Sequence, residues 1–229
     1  MTAKTLFYAG IGSRRTPPDV LEYMRHIAGR LAMRGYVLRS GAADGADAAF
    51  EAGCEAAKGK SEIWLPWKGF NKHADTGFYP TELHAQMAEQ VHPAWDRLSR
   101  GPRALHSRNV GQVLGQTIDT PVSFVLCWTP DGCESEATRT RDTGGTGTAI
   151  VLASRRGVPV FNLANADAKE RLVRHVLADF REFHADEALQ DGEEAYESEI
   201  LRQEGIRIMA GRMMGLGMPS GWVTLMPSE

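Results

Sequence analysis

Three times in this sequence a short apolar run leads to a glycine-rich turn, and in each case a helix-forming stretch follows. Leu6 to Ala9 is apolar, stops at Gly10 and opens into the turn GIGSRRTPPD. Val20, Met24, Ile27, Ala28 and Leu31 then recur at helical spacing up to Met33. Pro17 or Pro18 suits the first turn of that helix and Gly35 its stop. Tyr36 to Leu38 reads as a second strand closed by Ser40-Gly41, and the alanine-rich stretch from Asp44 to Ala57 as a helix. Buried strands separated by helices, apolar throughout rather than alternating, specify a parallel sheet covered on both faces. The expected fold class is α/β, a Rossmann-like doubly wound parallel sheet with a helical C-terminal extension.

The same grammar runs on to about residue 163. Ile63 to Leu65 reads as a third strand stopped by Pro66, and 67–92 as a long excursion with a helix near Thr81 to Gln90. A helix is expected over Arg103 to Leu114, and Val122 to Trp128 is the clearest buried strand. A polar loop from Thr129 to Gly147, a helix over Thr148 to Arg156 and a last strand over Val158 to Leu163 follow. Ala168 to Ala178 reads as a closing helix. The expected division is a nucleotide-binding domain over 1–180 and a helical extension over 181–229. That extension is acidic and helix-prone to about Gly205, then rich in Gly and Met from Gly211, with no role legible.

Composition narrows the function classes. The formal net charge is −3, whereas a chain that neutralises many phosphates of a polymer usually carries a basic surplus. The three cysteines, Cys54, Cys127 and Cys133, form no CxxC pair and suggest neither a disulfide framework nor a zinc site. The histidines, among them His73, His84, His92 and His106, are scattered, so no metal and no cofactor is expected. No apolar run approaches the ~20 residues of a membrane helix, and the first ten residues hold too short an apolar stretch for a signal peptide. The expected location is the cytoplasm, without membrane contact.

The glycine clusters are the candidate site. The first holds Gly10, Gly12, Ser13 and Arg14; the second Ser40, Gly41, Asp44, Gly45 and Asp47; the third Gly144, Gly145, Thr146, Gly147 and Thr148. Each falls where the carboxyl end of a strand passes to a helix, the edge at which open α/β sheets bind ligands. Glycine admits a phosphate close to the backbone, and helix N-termini offer free N–H groups and a positive dipole end. The first cluster is not the dinucleotide fingerprint, because Arg15 occupies the last glycine's place, and no GK[ST] follows to make a Walker A loop.

The stretches GIGSRRTP, LRSGAADGADAAFEAGC, HSRNVGQVLG and GGTGTAIVLASRRGVPVFNL resemble the DNA-processing protein A (DprA/Smf) family. More broadly they look like the SLOG superfamily, which also includes the Lonely Guy (LOG) phosphoribohydrolases. The resemblance covers roughly Leu6 to Leu163. It matches Gly10 to Arg14 to the family's first loop, Ser40 to Asp47 to its second, and Arg108-Asn109 to the RN pair of a helix. GGTGT resembles the phosphate-binding loop of the LOG branch. The resemblance implies binding of nucleotides, nucleotide-derived small molecules or single-stranded DNA. In two respects the sequence departs from the pattern. Ala149, Ile150 and Val151 stand where LOG hydrolases carry a catalytic glutamate, and the acidic C-terminal region is a poor candidate for the winged helix of some DprA proteins.

Substitute carboxylates exist in the loop before GGTGT: Asp131, Glu134, Glu136 and Asp142. One of them over a ribose C1′ would serve an N-glycosidic hydrolase; the bland alternative is a solvated polar loop. Asp44 either caps a helix or meets ribose hydroxyls, and Asp47 falls in that helix's first turn in either case. The leading expectation is a binding protein or sensor for a nucleotide or nucleotide-derived ligand, acting as a homo-oligomer. The alternatives are a LOG-like nucleoside monophosphate hydrolase and a DprA-like mediator that binds single-stranded DNA.

Overall fold

The computed structural model describes residues 5–183. Five short strands form one all-parallel sheet in the order β3-β2-β1-β4-β5. They are β1 (Phe7–Gly10), β2 (Val37–Ser40), β3 (Ser61–Ile63), β4 (Phe124–Cys127) and β5 (Val160–Asn162). β1 lies at the centre, with Tyr8 opposite Leu38 on one side and Phe124 on the other. The helices are α1 (Pro18–Met33), α2 (Ala46–Ala56), α3 (Glu82–Glu89), α4 (Arg100–Leu114), α5 (Gly147–Arg155) and α6 (Ala168–Phe183). The chain divides into compact units at His175 and Val176, so α6 begins in the first unit and ends in the second. The expected extension over 181–229 lies outside the described residues, apart from the end of α6.

Right-handed crossovers place α1 and α2 on one face and α4 and α5 on the other, because the chain leaves β1 toward β2 and later returns past it to β4. The first face is aromatic. Tyr8 stacks on Phe124 at 5.6 Å between ring centroids, and Tyr36 and Phe50 meet Tyr8 edge-on. The second is aliphatic, with Ala9, Ile11, Val125 and Cys127 packed against Val110, Val113 and Ile150. β1 and β4 thus send successive side chains to opposite faces, the period of an extended chain.

α1 starts at Pro18 with Pro17 in the N-cap position, buries Met24, Ala28 and Leu31, and gives way to Gly35 at φ +81°. It crosses α2 closely. A Cβ on Gly53 would lie 2.0 Å from the carbonyl oxygen of Arg25, so only glycine fits that crossing. β3 pairs over Ser61–Ile63 rather than the expected 63–65, although Trp64 and Leu65 are fully buried. Burial outlasts strand pairing there, since Leu65 already hydrogen-bonds to Phe78 of the excursion. No helix among the described residues is long and apolar enough to cross a membrane.

Candidate functional site

The connections from β1 and β4 leave in opposite directions, and a cleft opens at their carboxyl ends. Its volume is about 490 Å³, within the usual range for a small-molecule site. The first loop lines it with Gly12, Ser13, Arg14 and Arg15, and the second with Ala43 and Asp47. The third contributes Asp142 to Thr146, and α4 forms the floor with Leu105, His106, Arg108, Asn109 and Gln112. All three glycine clusters therefore reach one cavity.

α4 ties the loops together through its polar side chains. Arg108 donates from Nη1 to Asp47 Oδ2 at 2.9 Å, with side-chain exposures of 7% and 4%. Asp47 also accepts the backbone N–H groups of Gly12 and Ala43, so one carboxylate holds the first two loops and α4 in register. Burial nevertheless raises its pKa, outweighing the Arg108 charge and the hydrogen bonds. The hydrogen-bond network assigns the Gln112 amide: it donates to Asn109 Oδ1 and accepts from Arg108 Nη1 and the Gly41 N–H. Asn109 Nδ2 donates to the carbonyl of Gly145 at 2.9 Å, which fastens the third loop. His106 Nδ1 and Thr148 Oγ1 lie 2.8 Å apart.

These bonds explain why the second loop needs glycine. A Cβ on Gly41 would sit 1.3 Å from Arg108 Nη1, so the guanidinium rests on bare backbone. Arg108 lines the cleft, and its Nε is buried and has no hydrogen-bond partner among the described residues. Arg14 and Arg15 are exposed on the rim, and Asp142 is the exposed carboxylate among the lining residues. His106 is neutral near pH 7: burial lowers its pKa to about 4, helped by His92, Arg139 and Arg108. The cations of the cleft are therefore its arginines.

Of the residues singled out in the sequence, Gly12, Ser13, Arg14, Asp47, Arg108, Asn109, Gly144, Gly145 and Thr146 line the cavity. The others do not line it. A Cβ on Gly10 would press on Phe50 at 2.6 Å, and Ser40 turns its hydroxyl to the Gly10 carbonyl. Gly147 and Thr148 are buried in the start of α5. Asp44 is exposed and caps nothing: Gly45, at φ +84°, occupies the N-cap position of α2, with no side-chain cap.

The loop carboxylates divide in the same way. Burial alone would raise the pKa of Asp131, but hydrogen bonds from the hydroxyls of Thr140, Thr143 and Thr129 bring it down to about 2. This aspartate shapes the loop from within. Glu134 pairs with Arg171 and accepts the Asn162 N–H, while Glu136 pairs with Arg155. Only Asp142 among the four lines the cleft. Sequence reasoning gave no site role to His106 or Gln112; the helical spacing of 105, 108, 109 and 112 was the one signal that could have found Gln112. Among the described residues no group of three or more His, Cys, Asp or Glu could hold a metal ion.

No protein-family model and no curated protein matches the chain. Among solved structures it is similar to DNA processing protein A (DprA) of Streptococcus pneumoniae, with 18% identity and a TM-score of 0.41. That match covers 75% of this chain and 57% of the other, so the chain spans little more than half of that protein's length. It is also similar to DNA processing protein A of Helicobacter pylori, described for its single-stranded DNA binding mode, with 20% identity and a TM-score of 0.35. There the match covers 76% of this chain and 81% of the other. Similarity to DprA structures thus extends over three quarters of the sequence.

Proposed function

We propose that the chain binds the phosphate of a nucleotide or nucleotide-derived ligand in the cleft between β1 and β4. One observation carries this reading: a buried arginine, Arg108, with an unpartnered Nε in a cavity lined by all three glycine loops. An incompletely satisfied buried guanidinium is costly, and an anion that reaches Arg108 from the cleft would relieve part of that cost. Arg14 and Arg15 add charge at the rim, and Gly145 leaves its backbone open to close approach. The site is a binding site rather than a hydrolytic one in this reading. Glu134 and Glu136 are committed to arginines, and the positions after GGTGT are the apolar Ala149, Ile150 and Val151.

A single strand of DNA is the second reading. Arg14 and Arg15 are exposed at the mouth and stand where further phosphates of a chain leaving the cleft would pass. The test is calorimetric titration of the full chain with a nucleoside 5′-monophosphate, with inorganic phosphate and with an oligothymidylate, each at low and moderate salt. Saturable one-to-one binding of the nucleotide, with modest salt dependence, supports the first reading. Binding of the oligonucleotide alone, with a steep salt slope, moves the assignment to the strand. Binding of none of the three overturns both.

A further inference from the structure

A second groove, of about 960 Å³, is lined by α3, α4 and the segments that lead into them, and it shares no lining residue with the cleft at the sheet edge. Opposite charges line it. Glu82 stands there with Trp67 and Thr81, because the Leu65 N–H donates to the Phe78 carbonyl and brings the chain after β3 beside the start of α3. Glu82 is exposed, and Trp67 is 45% exposed. The first turn of α4 contributes Arg100, Gly101 and Arg103. Among the described residues neither these arginines nor Glu82 and Glu89 are in an ion pair. Arg103 lies 5.4 Å from the centroid of the Trp95 ring, and its Nε is buried with no hydrogen-bond partner among the described residues. The N-cap residue of α4, Ser99, makes no side-chain cap bond, so the N–H groups of Arg100 and Gly101 keep no acceptor within the helix. A Cβ on Gly101 would meet nothing within 4 Å, so that backbone is open to approach.

We infer that this groove binds a short peptide by its two charged ends, the terminal ammonium at Glu82 and Trp67 and the terminal carboxylate at Arg100, Arg103 and the first turn of α4. The unpaired charges select the ligand. A polyphosphate strand would meet Glu82 and Glu89, charges of its own sign, and a free cation would meet the arginines. A ligand that carries both signs satisfies both sets. Guanidinium groups and helix-start N–H groups bind a carboxylate through charge-assisted hydrogen bonds, and an exposed indole adds a cation–π contact to an ammonium beside a glutamate. Size separates a peptide from a single amino acid. Glu82 and Glu89 both line the groove, and the helix rises about 10 Å between them. Three extended residues span about the same length. Ala85, Leu98 and Ala104 line the groove as well and give apolar side chains of such a peptide a surface to cover.

The test is calorimetric titration of the full chain with alanyl-leucyl-alanine and with its N-acetylated and C-amidated forms, each repeated with a nucleoside 5′-monophosphate in excess. The free tripeptide is expected to bind saturably. Acetylation and amidation should each weaken it by roughly tenfold or more, the loss of one charge-assisted bond. Glu82→Gln should remove the penalty of acetylation and keep that of amidation, and Arg100→Gln/Arg103→Gln should do the reverse. The nucleotide should leave the peptide's affinity unchanged, a result that holds whether or not the cleft binds nucleotide and so keeps the two sites apart. Circular dichroism checks the folding of the variants, and the blocked peptides test the wild-type chain without any substitution. No binding at millimolar peptide, an affinity indifferent to both blocked ends, variants that keep both penalties, or displacement of the peptide by the nucleotide would each overturn the inference.

Discussion

Replacing Asp47 with alanine removes the one carboxylate that the structure sets against Arg108. The two side chains are 2.9 Å apart and almost fully buried. Removing one member of such a pair leaves an uncompensated buried charge, at a cost of about 3–5 kcal/mol. The N–H groups of Gly12 and Ala43 lose their acceptor as well, so the cost should fall toward the upper end. Removing both charges, as Asp47→Ala/Arg108→Met, should be milder than the sum of the single changes. The coupling between them should be roughly 2–3 kcal/mol, as for residues sharing one hydrogen-bond network. Urea unfolding followed by far-ultraviolet circular dichroism at pH 7 measures all four corners of this cycle. Inorganic phosphate should recover part of the stability of Asp47→Ala and less of the wild type, because the freed guanidinium then takes an anion as its partner. A loss below about 1 kcal/mol for Asp47→Ala, or additive single changes, would refute the claim that this pair holds the loops together.

Gly145→Val should fold like the parent, since a Cβ at Gly145 meets nothing within 4 Å, yet weaken nucleotide binding. Loss of one charge-assisted hydrogen bond corresponds to roughly tenfold to a hundredfold in calorimetric affinity. His106, with a pKa lowered from 6.5 to about 4, binds fewer protons folded than unfolded between those values. Its contribution to stability, up to about 3 kcal/mol, should be present above pH 6.5 and lost as the pH falls to about 4; His106→Gln should flatten that slope in urea midpoints measured against pH. Gly53→Ala should destabilise by about 1–3 kcal/mol through overpacking at the α1–α2 crossing, read as a lower urea midpoint. The chain should release no free base from nucleoside monophosphates by chromatography; turnover abolished by Asp142→Asn would show that the cleft carboxylate is catalytic.

The strand ends and glycine turns are legible in the sequence because they are local. Apolar runs closing at Gly10, Ser40 and Trp128 mark the carboxyl edge of the sheet, and the observed strands end at Gly10, Ser40 and Cys127. What the glycines do is less legible, because it depends on distant partners. Gly10 and Gly41 are small to make room for Phe50 and Arg108, residues 40 and more positions away. Asp44 and Asp47 differ by three positions and face opposite fates, one exposed and one buried, and nothing within the stretch itself separates them. The polar loop from Thr129 read as solvated, whereas Asp131 organises it through hydroxyls as far away as Thr143. Alternating charge and hydroxyl content looks the same in sequence whether a loop is loose or internally bonded.

The part played by α4 carries a consequence for synthesis. The bonds that join the three loops link Asp47 to Arg108, Asn109 to Gly145 and His106 to Thr148, with separations of 61, 36 and 42 residues. Contacts of such range close late, because the chain between them must first be ordered. A nascent chain that has emerged as far as Cys127 can pair β1, β2, β3 and β4, yet it holds only two walls of the cleft. The proposed anion site is completed only when 144–148 follow, so under that proposal ligand binding reports that the carboxyl half of the sheet domain has arrived.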